Sequence, residues 1–208
     1  GDSGDLVTAA ATLGVPHPPG YPLYTLLGFF ASKLSVATIA WRVALVSSIP
    51  HALTILLVYV FVKKITGRSS AAFFVSLTLV GNYVFFLYSV TPEVFALLDF
   101  FVILLITLLF IWTWTKQVKW LYACFFVFGL SLTHHHMILF LVPACIIWLV
   151  LHKKLLKKER NKISMILKCV GMGFIGFLPY LYVFVAGNGR SIINWDKVTT
   201  FERFIRLL

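Results

Sequence analysis

Long apolar runs alternate with short polar or basic segments along this chain of 208 residues. Each run is about 16 to 24 residues long, which is enough for a helix to cross roughly 30 Å of hydrocarbon. The pattern predicts an all-α polytopic membrane protein. The six membrane-spanning helices that we expect cover residues 42–62, 70–90, 94–115, 120–136, 137–152 and 163–186.

Two shorter elements precede the first predicted span. Residues 2–14 indicate a short helix whose N-terminus Asp2 or Ser3 could cap. The Pro-rich turn at residues 15–20 cannot be helical. Residues 21–34 are apolar but too short to span, which favours an interfacial or re-entrant helix. We expect a single transmembrane domain over the whole chain, made of a loop (1–41), the spans (42–186) and a second loop (187–208).

Composition supports a membrane protein, because 60% of the residues are hydrophobic and only 12% are charged. A soluble domain carries about twice this fraction of charge. The net charge of +11 could indicate a nucleic-acid partner in a soluble protein. Here eleven Lys or Arg lie in the loops 63–69, 116–119 and 153–162, and the positive-inside rule therefore predicts that these loops are cytoplasmic. We expect no nucleic-acid partner.

The other polar clusters fall at the opposite ends of the predicted spans. They are Asp2 and Asp5, His17, Arg42, Glu93, His134, His135 and His136, and Trp195 with Asp196. If the apolar runs cross the membrane, these clusters meet at one water–lipid boundary, extracytoplasmic or lumenal. Such an arrangement is typical of a membrane enzyme with its site at that boundary.

The residue types leave more than one role open at each cluster. Asp2 and Asp5 could form a general base for an attacking hydroxyl, or a pair that caps a helix. Glu93 could bind substrate or only complement a helix dipole. His17 could be a positioned ligand contact or a turn residue. Arg42 could bind a lipid phosphate or extend to the interface beside a Trp.

The three consecutive histidines cannot chelate one metal ion from a helix, because neighbouring side chains point about 100° apart. They could contact a phosphate or sugar, or form a polar cap on the span. Asp99 lies deeper in an apolar run and needs a partner, for which a histidine of the next hairpin is a candidate. The three cysteines give neither a disulfide pattern nor a metal site. Nucleotide-binding and zinc-protease motifs are absent from the sequence.

Two strings near the start carry a family resemblance: residues 1–10, Gly-Asp-Ser-Gly-Asp-Leu-Val-Thr-Ala-Ala, and residues 13–23, which contain His-Pro-Pro-Gly-Tyr-Pro-Leu. They resemble the family that includes the endoplasmic-reticulum O-mannosyltransferase of plexin and receptor-kinase IPT domains, together with bacterial relatives. Residues 41–43, 92–97 and 194–196 match further. The chain departs from the usual pattern at Asp5, where the family has Glu, and at Asn194-Trp195-Asp196, where the usual Trp-Gly-Asp lacks its Gly.

The resemblance implies a C-type glycosyltransferase fold, with a further span before residue 1 and more sequence after residue 208. It implies transfer of a sugar, mannose-like, from a polyprenyl or dolichyl phosphate to an acceptor hydroxyl of a protein or glycan. The acidic residues of the first loop, here Asp2 and Asp5, would be catalytic. It places the protein in the bacterial plasma membrane or the endoplasmic reticulum.

In the resulting hypothesis, Asp2, alone or with Asp5, deprotonates the acceptor. The substrate-binding residues would be His17, Arg42, Glu93, His134, His135, His136, Trp195 and Asp196. His17, Arg42 and one of the three histidines would offset charge on the leaving phosphate. An apolar groove beside residues 21–34 would hold the prenyl tail, and no cofactor or metal is required. The alternatives are a flippase or transporter of a lipid-linked substrate, and a scaffold subunit in which Asp2 and Asp5 only cap a helix.

Overall fold

The computed structural model describes residues 2–157 and 161–208, and these form helices joined by turns and short loops. The α-helices are α1 (Ser3–Thr12), α2 (Pro22–Ser32), α3 (Ile39–Thr66), α4 (Ser69–Val80), α5 (Tyr83–Val90), α6 (Phe95–Thr115), α7 (Lys119–Leu132), α8 (Val142–Leu151), α9 (Lys153–Lys157), α10 (Lys162–Phe177), α11 (Leu181–Gly187) and α12 (Phe201–Leu207). Short 3₁₀ helices cover His136–Leu141, Leu178–Tyr180 and Trp195–Lys197. The expected all-helical fold is confirmed for the described residues.

Within the described residues, three helices are long and apolar enough to cross a membrane: α3, α6 and the continuous stretch Lys162–Gly187. The pair α4 and α5 is bent by 67° and makes a fourth if it counts as one broken span. The remaining two predicted spans correspond to shorter helices, α7 and the stretch His136–Leu151.

Local hydrogen bonding explains why the helices end at positions where the apolar run continues. At the end of α7, the hydroxyls of Ser131 and Thr133 donate to the carbonyls three residues back, at 2.8 and 2.7 Å. Such side-chain bonds compete with the helical ladder. Pro143 has no backbone N–H and therefore lies in the first turn of α8, which begins at Val142 after a 3₁₀ turn. Asn82 caps α5 through a bond from the amide of Phe85, at 3.0 Å, and so separates it from α4.

The bounds of the first span and the cap of α1 also differ from what the sequence predicts. The first span is longer than its apolar run because Thr38 caps its start and Gly67, in a left-handed conformation, ends it. At the other element, α1 begins at Ser3, but the Asp2 side chain makes no capping hydrogen bond. Asp2 is thus the N-cap residue and Asp5 lies in the first turn, as the capping alternative predicts, but the Asp2 carboxylate stays available for other contacts.

Helices α3 and α6 run side by side in the same direction. Ser47 of α3 bonds the backbone of Glu93 just before α6, and His51 bonds Asp99 one and a half turns further along. Near the other end, the Lys64 ammonium lies 4.5 Å from the centre of the Trp114 ring. The polar ends of both helices therefore lie together, and so do their basic ends, as the charge pattern predicts for this pair.

Helices α7 and α10 approach each other at backbone distance. A Cβ added at Gly129 would lie 2.0 Å from the carbonyl oxygen of Gly173, and one at Gly176 would lie 2.1 Å from that of Phe126. Small residues allow such approaches between membrane helices, where dispersion contacts replace the hydrophobic effect. This crossing holds the returning helices against the rest of the bundle.

Two apolar cores position the polar end of the molecule. The larger core joins α1, α2, α3, α6, α7 and α10 and includes Leu6, Tyr24, Val43 and Phe101. The smaller core packs Val15 of the Pro-rich turn against Tyr180 and the C-terminal segments. Many large apolar side chains face outward instead, for example Phe74, Phe140 and Val185, which are 64, 82 and 75% exposed. An outward apolar surface of this kind fits a lipid environment.

Candidate active site

The side chain of Asp5 is the fixed centre of the polar end. Its Oδ2 accepts a hydrogen bond from the backbone N–H of His17 at 3.0 Å and one from the His17 ring Nδ1 at 2.8 Å. Its Oδ1 accepts one from the indole Nε1 of Trp195 at 3.3 Å. Because a carboxylate can only accept, the proton of a neutral His17 ring lies on Nδ1. Three donors hold Asp5 in place, and its side chain is only 20% exposed.

Asp2 lies beside this unit but has far more freedom. The His17 Nε2 is 3.6 Å from Oδ2 of Asp2, whose side chain is 66% exposed. Asp5, His17 and Asp2 therefore form a row in which the inner carboxylate is largely enclosed by its donors and the outer one faces solvent.

Glu93 connects this row to the helix bundle. Its Oε1 accepts from the Ser3 hydroxyl at 3.1 Å, and its backbone N–H and carbonyl both bond the hydroxyl of Ser47, at 3.2 and 3.1 Å. The residue is buried. The structure therefore brings Glu93 to the same site as Asp2 and Asp5, and it ties α1, α3 and α6 together.

The three histidines follow α7 and do not lie on it, and their contacts differ. His134 and His135 lie in the turn, and His136 begins the 3₁₀ helix His136–Leu141. The Nε2 of His134 donates to the carbonyl of Val94 at 2.7 Å, and this ring is fully buried. The Nε2 of His136 bonds the Tyr180 hydroxyl at 2.8 Å. The Nδ1 of His135 accepts from the amide of Met137 at 3.1 Å, so a neutral His135 carries its proton on Nε2. Among the three, His135 is half-buried and has a donor that these bonds do not use.

Tyr21 lies among these groups, and sequence reasoning did not select it. Its ring centre is 5.2 Å from that of His17 and 5.6 Å from that of His135. Burial, followed by the charges of Asp2, Glu93 and Asp5, raises the pKa of the Tyr21 phenol to about 12. The phenol therefore stays protonated near neutral pH and can donate a hydrogen bond.

The backbone of Tyr21 is strained as well, with φ of 38° and ψ of 51°. A left-handed conformation is uncommon for a bulky residue, and such strain often accompanies functional sites. The only sequence signal was its place between Gly20 and Pro22, and a residue before proline is expected to be extended instead.

The C-terminal segment supplies Trp195 through a short bridge to the Pro-rich turn. The amide of Val15 bonds the carbonyl of Ile193, and the amide of Trp195 bonds the carbonyl of Val15, both at 3.0 Å. A Cβ at Gly14 would lie 2.0 Å from the Ile193 oxygen, so only glycine fits there. Asp196, also predicted to bind substrate, is exposed in a left-handed conformation beside Trp195.

Arg42 is engaged away from these groups. Its guanidinium donates to the carbonyls of Ser32 and Leu34, and its Nε donates to the carbonyl of Thr38 at 3.3 Å. It therefore satisfies carbonyls at the end of α2, a helix that begins at the site and extends about 16 Å from it. Binding of a phosphate by Arg42 stays a prediction that these contacts do not support.

Asp99 does pair with a histidine, but with one from α3 instead of the following hairpin. The Nε2 of His51 lies 3.2 Å from Oδ2 of Asp99, and its Nδ1 lies 2.7 Å from the Ser89 hydroxyl. The His51 ring also stacks on Phe85 at 3.8 Å between ring centres. This second polar set ties α3, α5 and α6 together within the apolar part of the bundle.

Five parts of the chain thus meet around the exposed carboxylate of Asp2. They are α1, the Pro-rich turn, the start of α6, the turn after α7 and the C-terminal segment. Within residues 2–157 and 161–208, no group of three His, Cys, Asp or Glu side chains is arranged to hold a metal ion. The fold and this site define a helical membrane protein with a carboxylate–histidine site at one end of its bundle.

Comparison with known proteins narrows that class. The model of the family described as Protein O-mannosyl-transferase TMEM260 N-terminal domain matches residues 2–159. The chain belongs to this family. It is 32% identical over 211 residues to Protein O-mannosyl-transferase TMEM260 of Mus musculus, covering 99% of this chain and 30% of the mouse protein. It is 25% identical over 226 residues to the Dictyostelium discoideum protein of the same name, covering 99% of this chain and 27% of that protein.

The chain thus spans less than a third of the length of these curated relatives. No solved structure matches it.

Proposed function

We propose that this chain carries the catalytic site of an integral-membrane O-mannosyltransferase. The donor would be a polyprenyl or dolichyl phosphate mannose, and the acceptor would be a hydroxyl of a protein Ser or Thr. Family membership supports the sugar and the reaction, because both curated relatives are named protein O-mannosyl-transferases. The observation that carries the proposal is the exposed carboxylate of Asp2 beside the partly buried carboxylate of Asp5, which accepts from three donors.

In this reaction the acceptor oxygen forms a bond to the anomeric carbon, and the bond from that carbon to the phosphate oxygen breaks. The electron pair leaves with the lipid phosphate, and Asp2 takes the hydroxyl proton. General base catalysis of this kind contributes about 10² to 10⁴-fold in rate. Attack opposite the leaving group inverts the anomeric configuration. The scheme uses side chains of this chain and requires no metal ion.

The leaving phosphate needs donors, and His135 and Tyr21 are placed to supply them. Both lie beside His17, and each presents a proton: His135 on Nε2, and Tyr21 on its phenol. Preorganised donors of this kind stabilise charge that develops in the transition state. We assign them this role in place of Arg42, whose guanidinium already binds carbonyls.

A groove next to His135 suits the prenyl tail. A cavity of about 450 Å³ is lined by Pro18, Pro19, His135, His136, Met137, Leu139, Phe140 and Leu208. Its polar end is formed by the histidines and its walls by outward-facing apolar side chains. A lipid phosphate could therefore reach the histidines while its chain stays in the hydrocarbon.

The topology that we propose has six crossings, in which α4 with α5, α7, and the stretch His136–Leu151 also span. The basic ends would be cytoplasmic and the Asp2 side lumenal or extracytoplasmic. The length and apolar composition of three helices support membrane crossing. The contacts between α3 and α6 support the segregation of charge between the two sides.

The direct test is sugar transfer by the complete polypeptide in membranes. Synthetic polyprenyl phosphate mannose and a Ser/Thr-containing acceptor domain should give a mannosylated product. Guanosine diphosphate mannose, in membranes lacking the enzyme that makes the lipid donor, should give none. Transfer from the nucleotide sugar would refute the lipid-donor proposal. Movement of the lipid across the bilayer with no transfer would favour the flippase.

A further inference from the structure

We propose that His17 is a proton-relay residue, held by Asp5 so that its Nε2 receives the proton that Asp2 takes from the acceptor. This inference rests on the proposed transferase function and divides the roles of the two carboxylates. Asp2 would contact the acceptor, and Asp5 would be a positioning residue. This division follows from the hydrogen bonds of the Pro-rich turn.

The first observation is that Asp5 has little capacity left for an acceptor. Its two oxygens accept from the His17 amide, the His17 Nδ1 and the Trp195 indole. A carboxylate offers about four acceptor positions, and the side chain is largely enclosed. The bond from the His17 amide holds the backbone of this residue, and the bond from Nδ1 fixes the tautomer of its ring.

The second observation is where the other ring nitrogen lies. With the proton of a neutral ring on Nδ1, the Nε2 carries a lone pair and faces Oδ2 of Asp2 at 3.6 Å. This distance is longer than a hydrogen bond, but the exposed Asp2 side chain has room to rotate, and catalytic contacts often tighten only when substrate binds. A carboxylate that accepts from Nδ1–H fixes the tautomer and the orientation of a histidine that transfers protons through its other nitrogen.

The proton can then be followed from start to finish. The acceptor hydroxyl gives its proton to Asp2 as the new glycosidic bond forms and the phosphate leaves. Asp2 passes the proton to Nε2 of His17, which becomes an imidazolium between two carboxylates. The ring releases the proton to solvent through its exposed edge before the next turnover. No oxidant or further reactant is needed.

The rigid turn accounts for why the histidine lies here. His17 is followed by Pro18 and Pro19, which fix the backbone, and the turn is packed through Val15 into the smaller core. The titratable groups that face His17 are Asp2 just before α1, Asp5 of α1, Tyr21 from the turn itself and His135 from the segment after α7. The carboxylate oxygens of Asp2 and Asp5 lie within 4 Å of its ring nitrogens.

The test uses the complete polypeptide in membranes, with His17→Gln, Asp5→Asn, Asp5→Glu and the double variant His17→Gln/Asp5→Asn. His152→Gln, at the basic end of the bundle, is the matched control. We expect His17→Gln and Asp5→Asn each to lower kcat by about tenfold to a hundredfold, which is part of the general-base contribution, with KM for the lipid donor unchanged. Asp5→Glu should keep most of the activity, because it retains the acceptor for Nδ1–H.

Two readouts separate a relay from a merely structural role. The double variant should be no slower than the slower single variant, because the residues act as a unit. In folded His17→Gln the acid limb of the profile of kcat/KM against pH should change, because the ring that receives the proton from Asp2 is gone. A folded His17→Gln protein with the parent's pH profile would overturn the relay.

The inference can fail without the proposed function. Wild-type kcat in His17→Gln, alongside an inactive Asp2→Asn, would reject the relay and leave the transferase intact. If His17→Gln does not fold, the comparison of Asp5→Asn with Asp5→Glu decides. Equal rates for the two variants contradict the relay, and a rate retained only by Asp5→Glu supports it.

Discussion

The bridge between the Pro-rich turn and the C-terminal segment can be opened by one methyl group. In Gly14→Ala the new Cβ would lie 2.0 Å from the carbonyl oxygen of Ile193 and 2.4 Å from the Ser191 hydroxyl oxygen. The hydroxyl can rotate away, but the carbonyl belongs to the backbone, so the segment itself must move. Because the backbone of Gly14 is not left-handed, the contact alone produces the effect.

The size of the effect follows from the bonds that the movement breaks. The bridge consists of the Val15 amide bonded to Ile193 and the Trp195 amide bonded to Val15, both at 3.0 Å. Each bond contributes about 0.5 to 1.5 kcal/mol, so their loss costs about 1 to 3 kcal/mol. This corresponds to roughly a 5- to 150-fold shift toward the open segment.

Hydrogen exchange on the purified protein in lipid nanodiscs measures this shift directly. The amides of Val15 and Trp195 should exchange faster by that factor in Gly14→Ala, and kcat should fall because Trp195 leaves Asp5. Gly171→Ala is the matched control, since a Cβ there meets nothing within 4 Å. Unchanged exchange at both amides together with an unchanged kcat would refute the claim that this bridge positions the site.

Four further outcomes are expected. Trp195→Phe keeps the ring but loses the bond to Asp5, so kcat should fall by about twofold to tenfold; an unchanged kcat would show that Asp5 does not depend on the indole. His51→Leu removes the bonds to Asp99 and Ser89 and should lower unfolding stability in detergent by about 1 to 3 kcal/mol, with kcat unchanged; a loss of kcat in folded protein would instead place this set in the mechanism. A cysteine replacing Gly189 should react with an impermeant maleimide from the Asp2 side and one replacing Lys116 only from the other; labelling of both from one side would contradict the six-crossing topology. The absorbance titrations of Tyr21→Phe and the parent should differ only near pH 12, where the Tyr21 phenol ionises; a difference near pH 10 would mean that burial and the carboxylates do not act on Tyr21.

The apolar pattern predicted the helical class and the positions of the main helices, because burial in lipid imposes long apolar runs. It could not predict the breaks in α7 and before α8. Those depend on the hydroxyls of Ser131 and Thr133 and on Pro143, which change backbone bonding without changing hydropathy. The lengths of these two runs therefore overestimated the lengths of their helices, whereas α3 is longer than its run.

The site was predictable where charge stood out against an apolar background, as for Asp2, Asp5 and Glu93. The pairing of Asp5 with Trp195 was not predictable, because it joins residues 190 positions apart through a bridge that only the fold creates. The contacts of Arg42 were not predictable either. A lone arginine in an apolar region suggested a phosphate site, whereas the carbonyls at the end of α2 needed donors.

The most direct test of the account is the rate of mannose transfer from polyprenyl phosphate mannose by Asp2→Asn in the complete polypeptide. Glu202→Gln, an exposed carboxylate of α12, is the control for the change of charge. We predict that Asp2→Asn lowers kcat by about 10² to 10⁴-fold, while membrane insertion and the melting temperature stay at the parent's values. Parental kcat in a correctly inserted Asp2→Asn protein would contradict the assignment of Asp2 as the base.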